Sequence, residues 1–119
     1  MDAQVYKRAA EIIDQGWTQF DLVRDNRDGS KSYCAVGALR KALGFRVVNP
    51  VVSVWSRVAD NTVSEYSRVL VEDVLNMDLF GDRDYPYWLS RFNDNPARSK
   101  DDVVAAMLAA AYLVETRVV

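Results

Sequence analysis

The chain has no histidine and one cysteine among its 119 residues. Lack of histidine excludes Ser-His-Asp and Cys-His catalysis, a His general base and His-ligated zinc. A single cysteine excludes an intrachain disulfide and any thiolate-rich zinc or iron–sulfur site within one chain. It also fits a reducing compartment. No apolar run is long enough to span a bilayer; the best candidate, Val103 to Val114, falls short. Met1-Asp2-Ala3-Gln4 lacks the basic region and apolar core of a signal peptide, so a cytoplasmic protein with no membrane partner is expected. Glycine is scarce as well. Gly29, Gly37 and Gly44 have neither Walker nor dinucleotide-binding spacing, and no cofactor is expected.

What is present is ordinary globular composition, 50% apolar and 27% charged. The length suits one domain over residues 1–119, and a chain of this size buries roughly two-thirds of its unfolded surface. Fifteen basic and 17 acidic residues give a net charge of −2, which argues against a nucleic-acid partner.

Helical spacing of Val5, Ala9, Ile12 and Ile13 predicts a first helix from Asp2 to Gln15, stopped at Gly16. Asp25-Asn26-Arg27-Asp28-Gly29-Ser30 is a turn signal, and Phe20–Val23 and Lys31–Tyr33 are candidates to pair across it as a small hairpin. A second helix is expected after Ser32, ending near Gly44. Its face of Cys34, Ala35, Ala38 and Ala42, with Gly37 beside it, suggests a closely packed neighbouring helix. Residues 46–58 fit strand or helix. The helix, capped by Asn49 with Pro50 in its first turn and Trp55 on its apolar face, is preferred.

Thr62-Val63-Ser64-Glu65 reads as a capping box opening a helix to about Asn76. Tyr85 to Phe92 suggests one or two helical turns, and Asn93-Asp94-Asn95-Pro96 a turn after them. Ser99-Lys100-Asp101-Asp102 caps a final helix with an apolar stripe of Val103, Val104, Met107, Leu108, Ala111 and Val114. The expected fold is mainly α, about five helices in one compact domain, with room for one small β-hairpin near residues 20–33.

Cys34 is the catalytic candidate if the protein is an enzyme. A nucleophilic thiol there would need Lys31 or Arg40 to lower its pKa. Ala35, Val36 and Ala38 favour the plainer reading of a small buried hydrophobe. Asp25 to Ser30 resembles a calcium loop only in part, since Arg24 and Ala35 occupy the two end-ligand positions. Asp82, Asp84, Asn93, Asp94, Asp101 and Asp102 offer an acid pair or a magnesium site, but helix capping explains each separately, and no metal site is expected. Tyr85-Pro86-Tyr87-Trp88 is a bulky run that cannot all face one core. Tyr85, Tyr87, Trp88 and Phe92, with Asn93 and Asp94, are therefore the candidate binding residues.

Gly16-Trp17-Thr18-Gln19, Asp28-Gly29, Tyr33-Cys34-Ala35-Val36-Gly37-Ala38-Leu39 with Ala42, Phe92-Asn93-Asp94, Ser99 and Val103-Val104 together resemble an uncharacterised family of small actinobacterial and actinobacteriophage proteins. The likeness runs from about residue 6 to 112. The family commonly has Trp at Phe92 and Thr at Ser99. The resemblance implies a bacterial or phage intracellular setting and carries no catalytic residues.

The functional expectation is a non-enzymatic protein-binding module, a phage protein engaging a host protein or a self-associating one. The alternatives are a small enzyme using Cys34 or an Asp pair, and a DNA-binding regulator built on helices 33–43 and 51–59.

Overall fold

In the computed structural model, residues 1–49 and 57–117 are described. Their elements, in chain order, are α1 (Ala3–Gln15), β1 (Val23–Asp25), β2 (Lys31–Tyr33), α2 (Ala35–Ala42), α3 (Arg57–Arg68, continued by a π-helical stretch Val69–Val74), α4 (Tyr85–Asp94) and α5 (Lys100–Thr116). The expectation of a mainly α domain with about five helices and one hairpin holds.

α1 packs against α5 and α2 through Val5, Tyr6, Ala9, Ala10 and Ile13. The α1–α5 pair is antiparallel, with Lys7 on Glu115 at one end and Lys100 Nζ 3.3 Å from Asp14 at the other. Tyr6 ties α1 to α3: its hydroxyl donates to the Tyr66 carbonyl at 2.7 Å in the interior. α5 begins with the expected capping box. Ser99 Oγ accepts from the Asp102 N–H, and Asp102 Oδ2 accepts from the Ser99 N–H. Those bonds hold the Asp102 carboxyl below its usual range.

Several local expectations are corrected. Thr62 opens no helix, because α3 has already run from Arg57. Val63 and Tyr66 face the core at helical spacing with Leu70, and that burial overrides a four-residue capping pattern. Asn93 and Asp94 form the last turn of α4 rather than a turn after it. In α5 the buried residues are Val103, Ala106, Met107, Ala110 and Ala111, and Leu108 faces out. The helix is apolar nearly all round, so its sequence does not mark its inner face. Residues 46–49 are neither helix nor strand. The helix start at Pro50 and the placement of Trp55 lie outside the described residues.

The second strand of the hairpin is Lys31–Tyr33 as expected, but the first starts three residues later, at Val23, pairing Val23 with Tyr33, Arg24 with Ser32 and Asp25 with Lys31. Phe20 cannot extend β1, because its backbone is left-handed, with φ at 72°. The Leu22 and Val23 N–H groups instead donate to Asn49 Oδ1 at 3.0 and 3.2 Å, and Asn49 Nδ2 returns a bond to the Val23 carbonyl.

Beneath this hairpin, Gly37 faces backbone and not a helix. A Cβ on Gly37 would stand 2.1 Å from the Leu22 carbonyl oxygen. The small residue lets α2 come up under the hairpin. Next to it, the Cys34 N–H donates to the same Leu22 carbonyl at 3.2 Å.

Candidate functional site

Two distant segments meet beside the N-terminus of α2. The first is the loop Trp17-Thr18-Gln19, between α1 and β1. It runs along β2, with the Tyr33 N–H donating to the Gly16 carbonyl at 2.9 Å and the Thr18 N–H to the Tyr33 carbonyl at 3.2 Å. The second is the end of α4. Asn93 is fully buried between them. Its Oδ1 accepts from Trp17 Nε1 at 2.8 Å and from the Ala35 N–H at 3.0 Å. Its Nδ2 donates to the Thr18 carbonyl at 3.1 Å and to Asp94 Oδ1 at 3.0 Å. A buried amide must satisfy its donors and its acceptor, and here both are met.

Gln19 completes the clamp. Its Nε2 donates to the carbonyls of Asn93 and Asn95, at 3.1 and 3.0 Å, where the end of α4 leaves carbonyls without helical partners. Asp94 Oδ1 then accepts the Phe20 N–H at 2.9 Å. The result is that Phe20 is held in a left-handed conformation with 75% of its surface exposed. A bulky residue in that region carries strain of order 1–3 kcal/mol and persists only where its surroundings over-determine it.

Phe20 stands at the edge of a groove of about 640 Å³. Among the described residues Leu22, Val36, Val63 and Pro86 supply apolar lining, Tyr87 a second aromatic edge, Asp21, Asp60, Asp84 and Asp94 four carboxylates, and Arg83 a cation, with Arg40 Nη1 3.9 Å from Asp60. A shallower hollow of about 510 Å³ continues across α4 past Arg91 and Pro96. Tyr87, Ser90 and Asp94 line both hollows and form the ridge between them. Their spacing puts them on one face of α4.

The six residues singled out from the sequence divide between surface and interior. Tyr87 is 44% exposed, with Arg91 over its ring and the Trp88 ring edge-on at 5.3 Å. Trp88 is half-buried against exposed Phe80. Tyr85 is half-buried, its hydroxyl donating to Glu72 Oε2 on the π-helical stretch at 3.0 Å. Phe92 is buried, with the Arg98 guanidinium 3.9 Å over its ring. Asn93 lies in the interior and Asp94 is half-buried on the groove. The four-residue bulky run therefore splits, and only Tyr87 of it is exposed.

Sequence reasoning passed over Phe20, Gln19, Asp60 and Arg83. Phe20 looked like a strand residue, and a φ above zero at phenylalanine leaves no mark in the sequence.

Cys34 caps α2, its sulfur accepting from the Gly37 N–H at 3.4 Å. Burial pushes the thiol up to about 11, and the Gly37 bond only partly opposes that shift. It is therefore protonated at neutral pH, the wrong state for a nucleophile. The aspartates mostly do local work. Asp84 caps α4 through the Tyr87 N–H at 3.3 Å, and Asp82 Oδ1 accepts from the Asp84 N–H. Among the described residues no three acidic or thiol groups converge as a metal site would require. No helix among the described residues is long and apolar enough to cross a membrane.

No curated protein and no solved structure matches the chain. A family model does match, over residues 1–113, nearly the whole length, and takes in both halves of the Trp17–Asn93 clamp and all the groove-lining residues. The chain belongs to this family, a family of unknown function designated DUF6197.

Proposed function

We propose that this protein is a non-enzymatic binding module whose groove receives a segment of a partner protein. The observation that carries the reading is Phe20, held three-quarters exposed in a strained backbone at a groove that also presents Tyr87. Strain maintained by a dedicated hydrogen-bonded clamp, with no burial in return, favours contact with something outside the chain. Exposed aromatics around a concave surface are the usual anchors of such contacts. The protonated, buried thiol of Cys34 and the capping roles of the aspartates weigh against the enzyme reading. The acidic lining of the groove weighs against a nucleic-acid reading there. A cytoplasmic setting belongs to the same proposal, supported by the single unpaired thiol. The actinobacterial or phage origin that the sequence resemblance implies would make the partner a bacterial host protein.

Affinity capture from an actinobacterial lysate tests the reading, with the wild type beside a Phe20→Ala/Tyr87→Ala variant. One near-stoichiometric protein held by the wild type and lost by the variant, at a nearly unchanged melting temperature, is expected. Equal capture by both proteins would overturn the groove as the binding surface.

A further inference from the structure

The groove has a charge as well as a shape. Asp21 comes from the loop before β1, Asp60 from α3, and Asp84 and Asp94 from the two ends of α4. Among the described residues Arg83 lines the groove with them, and Arg40 pairs with Asp60 from behind. The whole chain has 15 basic and 17 acidic residues, so taking away these four carboxylates and two arginines leaves thirteen against thirteen. The negative balance of the molecule thus sits in its groove. Apolar walls of Leu22, Val36, Val63 and Pro86 strengthen such a field by keeping water's screening away.

The carboxylates also retain bonding capacity. Both donors to Asp94 fall on Oδ1, and the cap at Asp84 uses Oδ1 alone. The Asp60 side chain is 47% exposed, and Arg40 Nη1 lies 3.9 Å from its Oδ1. In all three the other carboxylate oxygen accepts no hydrogen bond from a described residue. Free carboxylate oxygens beside an aromatic ring suit a guanidinium or an ammonium. The second hollow across the Tyr87–Ser90–Asp94 ridge gives room for an extended segment of several residues.

We infer that the groove is built for a basic segment of a partner protein, with an arginine or lysine among Asp21, Asp60, Asp84 and Asp94 and an apolar neighbour against Phe20 and Tyr87. This rests on the binding reading above. A second copy of the chain is a poorer occupant, since outside the groove the molecule has no surplus of positive charge to offer.

A displayed library of random twelve-residue peptides tests the inference. It is selected on the wild type and depleted on folded Phe20→Ala/Tyr87→Ala protein. The expected survivors carry net positive charge and at least one large apolar residue. A survivor should bind about tenfold more weakly to an Asp21→Asn/Asp60→Asn variant and lose affinity as salt rises. Groove-dependent peptides that are neutral or acidic would overturn the basic occupant and leave the binding reading standing. Absence of any groove-dependent peptide would overturn both. Self-association of the wild type, abolished by Phe20→Ala/Tyr87→Ala, would place a second copy in the groove and overturn the inference as well.

Discussion

The indole N–H of Trp17 donates to the side-chain oxygen of Asn93 at 2.8 Å, joining residues 76 positions apart. The same oxygen accepts the Ala35 N–H that opens α2. One amide thus sets the relative positions of the loop after α1, the start of α2 and the end of α4. Asp94, the next residue, extends that order to Phe20.

Asn93→Ala would strand the Trp17 indole and the Ala35 N–H in the interior. Each buried donor left without a partner costs about 1–3 kcal/mol, so a loss of roughly 2–6 kcal/mol is expected from urea unfolding. Asp94→Asn keeps an oxygen for the Phe20 N–H and should lose less than about 1 kcal/mol. Equal losses for the two variants would contradict the central role of Asn93.

Gly37→Ala reverses the usual helix rule. Alanine is favoured over glycine inside a helix by about 1 kcal/mol. Here its Cβ would meet the Leu22 carbonyl oxygen at 2.1 Å, forcing the hairpin away from α2. A net loss of about 1–3 kcal/mol is expected from overpacking, read as a lower melting temperature. A variant as stable as the wild type would show that the hairpin does not rest on α2.

The thiol of Cys34 makes stability depend on pH. Its ordinary value is near 9 and burial raises it to about 11 in the fold. Between these values the unfolded chain gives up a proton that the folded chain keeps, so this contribution is complete below pH 9 and declines towards pH 11. Cys34→Ala should fall less steeply than the wild type across that window in denaturant titrations. In the native protein, thiol labelling at pH 8 should be slow and become fast on adding denaturant. Rapid native labelling would return the enzyme reading to consideration.

Phe20→Asn separates strain from function. Asparagine tolerates left-handed backbone far better than phenylalanine and keeps the N–H that Asp94 accepts. The variant should be as stable as the wild type or up to about 1 kcal/mol more so, while binding a groove-selected peptide at least tenfold more weakly. A stability loss with binding intact would mean that the phenylalanine ring serves the fold.

The Asn26–Ser30 turn, the capping box of α5 and the α1 face were determined by the sequence itself. Each depends on residues within one or two helical turns, where side-chain chemistry acts directly on the adjoining backbone. The chain also named the two halves of the clamp, as Gly16-Trp17-Thr18-Gln19 and Phe92-Asn93-Asp94, without revealing that they touch. Only the tertiary structure decided that Asn93 belongs to the core, that Gly37 faces the Leu22 carbonyl, that Thr62 lies within a helix, and that Leu108 and Phe20 face outward. Polar Asn93 is stable inside because three partners brought from elsewhere, together with its neighbour Asp94, satisfy its amide. Apolar Phe20 stays outside because Asp94, 74 positions away, holds its backbone N–H. In both cases the deciding partner lies beyond the reach of local pattern, and its effect exists only once the chain has folded back on itself.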